Sequence, residues 1–306
     1  MKYFLGVDTS NYTTSLSVCD ETGKIIKNCK KLLPVKQGER GLRQSDAVFA
    51  HTVNIPLVAQ ELGSYMPSAV AYSAFPRDNE GSYMPCFLCG KAYAEALGSL
   101  LDIPVCHFSH QRGHIRAALY SAGADHLLGK EFLAFHLSGG TTEILHVKDD
   151  EIKLIGGSSD LTAGQAIDRV GISLGMSFPC GAEMERIAES TVNKVKPKIS
   201  VKGLECNFSG LENLALKLYN SGATKEETAA YTLEFVLITL DKLTQNLINE
   251  YPNLPLVYSG GVMSNKRIKE HFTDKYGAYF AKPEFSSDNA AGIALLCFDK
   301  YMREIP

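Results

Sequence analysis

Phe4-Leu5-Gly6-Val7-Asp8-Thr9-Ser10-Asn11-Tyr12-Thr13-Thr14-Ser15-Leu16-Ser17-Val18 and Phe132-Leu133-Ala134-Phe135-His136-Leu137-Ser138-Gly139-Gly140-Thr141-Thr142-Glu143-Ile144-Leu145 lie 128 residues apart and share one pattern. Without a gap, Phe4 falls on Phe132, Leu5 on Leu133, Ser10 on Ser138 and Thr13-Thr14 on Thr141-Thr142. Each copy predicts an apolar strand, a tight turn of small and hydroxyl residues, and a second strand. The copies end at the turns Asp20-Glu21-Thr22-Gly23 and Asp149-Asp150. A turn of this composition offers backbone N–H groups and hydroxyls with little bulk, which lets a polyphosphate approach closely. One such hairpin is only a turn. Two in register predict a duplicated domain with a phosphate held between the copies.

The chain has 306 residues, enough for two lobes with separate cores, and the repeat divides it into 1–128 and 129–306. Strands at Ala69–Ser73 and Ile103–Cys106 alternate with helical patterns at Ser45–Leu62 and Cys86–Leu101, which gives an α/β sheet. Helices are also predicted at Gly164–Leu174, at Thr224–Glu250 behind the capping box Thr224-Lys225-Glu226-Glu227, and at Asn289–Tyr301. The apolar run Phe235–Leu240 is too short to span a bilayer, and Met1–Asp8 is no signal peptide, so no membrane is expected and the location is cytoplasmic. A net charge of −3 leaves no global footprint for nucleic acid. The lysines at 24, 27, 30 and 31 and at 194, 196, 198 and 202 read as solvated surface.

His110-Gln111-Arg112-Gly113-His114 follows a predicted strand, and histidines at i and i+4 share one helix face. At the end of an α/β strand, where such sheets bind ligands, this pair is a candidate for one divalent cation. Asp288, in Ser286-Ser287-Asp288-Asn289-Ala290-Ala291-Gly292, is the best-placed third ligand; an N-cap role explains it equally well locally. Ser138-Gly139-Gly140 and Ser259-Gly260-Gly261 place backbone N–H groups after short apolar strands. Asn265, Asp168 and the backbone at Gly181 are placed to meet a ribose or phosphate. Together these describe a nucleotide cleft between two lobes.

In this order the residues resemble the superfamily of actin, Hsp70 and sugar kinases, and more narrowly the tRNA threonylcarbamoyltransferase family, over nearly the whole chain. The resemblance implies an α/β, two-lobed fold with duplicated RNase H-like domains. It implies one metal ion (iron, zinc or magnesium) on His110, His114 and Asp288. It also implies an adenylate, from ATP or threonylcarbamoyl-AMP, on His136, Leu137, Ser138, Gly139, Gly140, Asp168, Gly181 and Asn265. Phe208-Ser209-Gly210-Leu211 resembles the family's FSGLK segment. The implied reaction moves threonylcarbamoyl from its AMP adduct to N6 of an adenosine in tRNA, with tRNA and proteins of the same machinery as partners. Alternatives are a carbamoyltransferase acting on a small molecule or protein, and a non-catalytic nucleotide-binding regulatory subunit. HxxxH lacks the glutamate of a hydrolytic HExxH site, which argues against a peptidase.

The departures are specific. The family turn ETSCDET becomes Asp8-Thr9-Ser10-Asn11-Tyr12-Thr13-Thr14, with Tyr12-Thr13 in place of an acidic pair. DDAxGEAFDK becomes Asp160-Leu161-Thr162-Ala163-Gly164-Gln165-Ala166-Ile167-Asp168-Arg169, losing two acids. A glycine-rich segment becomes Ala74–Gly81. Two hydroxyls in place of two carboxylates remove the general-base candidates, so weak or absent transfer by this chain alone is expected.

Overall fold

The computed structural model describes every residue except 11, 35–41, 150, 193–194 and 305–306, so Asn11, Asp150 and Lys194 of the sequence reading lie outside the described residues. Along the chain the elements are β1 (Tyr3–Asp8), β2 (Thr13–Asp20), β3 (Ile25–Leu32), α1 (Gln44–Leu62), β4 (Ala69–Phe75), α2 (Phe87–Leu101), β5 (Val105–Ser109) and α3 (His110–Ala122). There follow β6 (Phe132–Leu137), β7 (Thr142–Lys148), β8 (Glu151–Ser158), α4 (Ala163–Ser173), α5 (Gly181–Ala188), β9 (Ser200–Lys202), β10 (Glu205–Asn207), α6 (Ser209–Asn220) and α7 (Lys225–Glu250). The last are β11 (Leu256–Ser259), α8 (Lys266–Tyr276), β12 (Tyr279–Phe280), α9 (Pro283–Ser286) and α10 (Ala291–Glu304).

Two compact units result: Met1–Ser121 with Glu284–Pro306, and Ala122–Pro283. The division therefore differs from a single cut after residue 128, because the chain's last helix returns to the first unit. The reason is steric and visible in small residues. A Cβ on Gly6 would lie 2.4 Å from the Ala294 nitrogen, so β1 can receive α10 at backbone contact only where a side chain is missing.

The repeat read from the sequence is a repeat of register. In unit 1, β1 pairs β2 with Phe4 opposite Cys19 and Asp8 opposite Ser15. In unit 2, β6 pairs β7 with Phe132 opposite Val147 and His136 opposite Glu143, the same pairings displaced by the repeat. The sheet orders are β3-β2-β1-β4-β5 and β12-β11-β6-β7-β8-β10-β9. The five strands β8-β7-β6-β11-β12 thus repeat the first sheet, and β10-β9 extend it. Each sheet joins an antiparallel meander to two parallel strands. This is the duplicated RNase H-like architecture of the actin, Hsp70 and sugar-kinase class.

Parallel strands covered by helices are buried, and their sequences show it. Phe135, Tyr258 and Phe280 stack in one row across β6, β11 and β12, with ring centroids 4.6 Å and 5.0 Å apart. The Tyr258 hydroxyl, fully buried, is satisfied by Thr244 Oγ1 of α7 at 2.6 Å. Helix α7 starts at the capping box read from sequence, with Glu227 N–H donating to Thr224 Oγ1 and Thr224 N–H to Glu227 Oε2. β5 begins two residues later than predicted and runs to Ser109. Ile103 N–H is taken by the Gly98 carbonyl that closes α2, and Pro104 has no N–H, so the strand starts beyond them. No helix among the described residues is long and apolar enough to cross a membrane.

Candidate functional site

Because β5 ends at Ser109 and α3 begins at His110, the first histidine stands at the carboxyl end of the sheet with no intervening loop. One helical turn later His114 points the same way, and their Nε2 atoms are 2.8 Å apart. Asp288, on the segment leading into α10, brings Oδ1 to 3.5 Å from His110 Nε2 and 3.3 Å from His114 Nε2. Two ligand atoms bound at about 2.0–2.2 Å to one cation, at angles between octahedral and tetrahedral, would be about 2.8–3.6 Å apart. The three donors fit that requirement. Among the described residues, this is the one cluster whose donor atoms are placed to hold a metal ion.

The cap reading of Asp288 does not describe this structure. It is Asn289 whose Oδ1 accepts from Ala291 N–H, 3.0 Å, while its amide holds the carbonyls of Phe285 and Ser287. Asn289 fixes the turn and leaves Asp288 to face the histidines. Ala290 N–H donates to Ser15 Oγ of β2 at 2.8 Å, tying this segment to the first hairpin. Lys30 is not merely solvated: its Nζ lies 2.7 Å from Ser287 Oγ, beside Asp288.

The sequence reading missed Asp8. This carboxylate, 1% exposed at the end of β1, places Oδ2 2.8 Å from His110 Nδ1. Its other oxygen accepts from Ser73 Oγ at 2.7 Å and Ser10 N–H at 2.9 Å. The signal was available in the repeat, since Asp8 falls on His136, and His136 Nδ1 likewise lies 3.0 Å from the hydroxyl of Ser259. Ser73 and Ser259 occupy matching places on the parallel neighbours β4 and β11. Burial works against charge here, yet Asp8 and Asp288 outweigh it and push His110 up to about 10. Burial and the adjacent His110 lower His114. Burial likewise opposes ionisation of Asp288, but hydrogen bonds from both histidines hold it well below the usual carboxylate range. Two carboxylates around two imidazoles therefore leave a negative site suited to a cation.

In unit 2 the turn after β6 is built on glycines. A Cβ on Gly164 would meet the Ser138 carbonyl oxygen at 2.6 Å, and one on Gly260, at φ +97°, the Leu137 carbonyl oxygen at 2.0 Å. Helix α4 and the turn after β11 thus press against residues 137–139. Ser138 Oγ accepts from Gly140 N–H and Thr141 N–H, so two of the N–H groups expected to face a phosphate are engaged by the turn's own hydroxyl. Gly139 is open: a Cβ there would meet nothing within 4 Å. Asp168 Oδ1 accepts from Cys180 N–H at 2.8 Å, which places Asp168 beside Gly181 at the start of α5; burial raises its carboxyl, only partly offset by that N–H. Asn265 Oδ1 caps α8 through Ile268 N–H, and the His136 ring is buried against Ser259. Their side chains have these internal duties as well as any toward a ligand. Asp160, read as part of the departing motif, accepts from Leu161, Phe208 and Ser209 N–H and anchors the start of α6; burial opposes ionisation, but the Ser209 side chain together with these N–H donors brings its carboxyl down to about 2.

Residues 50–295 match the sequence profile of the tRNA N6-adenosine threonylcarbamoyltransferases. The chain is 27% identical over 301 residues to the tRNA N6-adenosine threonylcarbamoyltransferase of Methanopyrus kandleri, covering 95% of this chain and 85% of that one. It is 28% identical over 313 residues to the protein of that name from Thermus thermophilus, covering 99% and 94%. Among solved structures, component A of the Acidaminococcus fermentans (R)-2-hydroxyglutaryl-CoA dehydratase superposes with a TM-score of 0.60 at 14% identity, covering 99% of this chain and 100% of that one.

Proposed function

Because this chain belongs to the tRNA N6-adenosine threonylcarbamoyltransferase family, we propose that it is a metal-dependent transferase that moves threonylcarbamoyl from its AMP adduct to an adenosine of tRNA. The observation that carries this reading is the convergence of His110, His114 and Asp288 within one donor cluster, in a chain of that family. A divalent cation held there supplies Lewis-acid stabilisation of charge on a carbamoyl or phosphate oxygen. The protein's own part is to bind and orient. Gly139, with the backbone that Gly164 and Gly260 allow to pack beside it, receives the adenylate phosphate, and Asp168 with Gly181 receives the ribose. Tyr12 and Thr13 stand where the family's turn reads as an acidic pair, so proton removal from the attacking amine lacks a carboxylate there and transfer is slow. tRNA and proteins of the threonylcarbamoylation machinery are its partners.

Adenine-nucleotide binding is testable apart from transfer. ATP, ADP or AMP should raise the melting temperature in a concentration-dependent way, since a ligand at a hundred times its Kd adds about 2.7 kcal/mol to the native state. Gly260→Ala, strained at φ +97° and crowded by the Leu137 carbonyl, should abolish the response. If none of the three nucleotides moves the melting curve or gives heat in calorimetric titration, the adenylate reading is wrong.

A further inference from the structure

We propose that Asp8 is a positioning residue that holds the Nδ1 proton of His110 and so leaves the Nε2 lone pair of that ring for a metal ion. The inference rests on reading His110, His114 and Asp288 as the metal centre. Its basis is the division of labour between the two oxygens of Asp8. Oδ1 is addressed by two donors, the Ser73 hydroxyl at 2.7 Å and the Ser10 backbone N–H at 2.9 Å. Among the described residues, Oδ2 is met by His110 Nδ1 alone, at 2.8 Å. The backbone N–H of Ser10 can only donate, so Oδ1 must remain an acceptor and the carboxylate cannot rotate to another use. With the group 1% exposed, Oδ2 is shielded from bulk solvent. An acceptor fixed opposite Nδ1 requires a proton on Nδ1. Nε2, aimed at His114 Nε2 and Asp288 Oδ1, is then the atom that can bind a cation.

The same geometry makes Asp8→Asn a sharp test. The Asn oxygen must take the Oδ1 place, because Ser10 N–H and Ser73 Oγ–H both need an acceptor there. Its NH2 then occupies the Oδ2 place and donates to His110 Nδ1. That drives the ring to its Nε2–H tautomer, with the proton on the atom the metal needs. Outer partners of this kind change metal affinity by about 10–100-fold, and forcing the tautomer places Asp8→Asn at the upper end of that range. A merely structural role would lower the melting temperature without moving the proton.

The experiment titrates Zn2+ alone into the full chain and into Asp8→Asn, and records nitrogen-15 imidazole spectra of both. Expected is one Zn2+ per wild-type chain with the His110 Nδ1 proton retained, and binding at least ten-fold weaker in Asp8→Asn with His110 as Nε2–H. Asp8→Asn binding Zn2+ within two-fold of wild type would overturn the inference while leaving the metal centre standing. A zinc-loaded wild type whose His110 Nδ1 carries no proton would overturn it even if the variant fails to fold. A wild-type chain that takes up no Zn2+ would instead remove the metal reading and the inference with it.

Discussion

His114→Ala should reduce the bound metal from about one ion per chain to well under a tenth, as read by elemental analysis after gel filtration. His110 Nε2, His114 Nε2 and Asp288 Oδ1 form a three-donor set, and two remaining ligands rarely hold a first-row cation against water. The fold should survive, because His114 lies one turn into α3 and belongs to the polar cluster with His110 and Asp288 rather than to a hydrophobic core, and its loss also removes a buried imidazole next to a raised one. Affinity in the wild type should rise with pH, since a cation must displace the proton that His110 holds to about 10. Equal metal content in wild type and variant would dismiss this centre.

Gly292→Ala is expected to be the most damaging single methyl group in unit 1. Its Cβ would lie 1.8 Å from the Gly113 carbonyl oxygen and 2.6 Å from that carbonyl carbon, so backbone rather than a yielding side chain stands in the way. Overpacking costs about 1–3 kcal/mol and more where nothing can move, which puts this change at or above about 3 kcal/mol. Gly113 precedes His114, and Gly292 lies four residues after Asp288, so parting α3 from α10 also parts the ligands. A lower denaturation midpoint and weaker metal binding should therefore appear together. Gly210→Ala, whose added carbon meets nothing within 4 Å, serves as the neutral comparison. A Gly292→Ala chain as stable as Gly210→Ala would show that the α3–α10 crossing is looser than described.

The repeat between Phe4–Val18 and Phe132–Leu145 carried most of the fold, because strand register follows from which residues face the core and a gapless match preserves it. Histidines spaced by four on one helix turn were legible because their placement depends on local geometry and one strand end, whereas Asp288, which a cap role explained equally well locally, was tied to them by the resemblance of the whole motif set. Less visible were the contacts that depend on distant segments meeting. Asp8 gives no local hint that its oxygens divide between His110 and Ser73. Likewise Gly6, Gly113 and Gly292 are ordinary glycines in sequence until α10 lies across β1 and α3. The return of residues 284–306 to the first unit is a long-range fact of the same kind, and a strand-by-strand reading ends each lobe where its repeat ends. Ser138 is a subtler case. A Ser-Gly-Gly turn predicts exposed N–H groups, yet the serine hydroxyl is near enough to take two of them itself.

The most direct test of the whole account is a transfer assay. Metal-loaded chain, synthetic threonylcarbamoyl-AMP and unmodified tRNA are incubated together, and the digested tRNA is analysed for threonylcarbamoyladenosine, with the Thermus thermophilus relative run in parallel. A missing general base slows such a step by about 10²–10⁴-fold. The account therefore expects product from the wild type, more slowly than from the relative by a factor in that range, and none from His114→Ala. Transfer by the metal-loaded wild type as fast as by the relative, or equal amounts with and without His114, would contradict it.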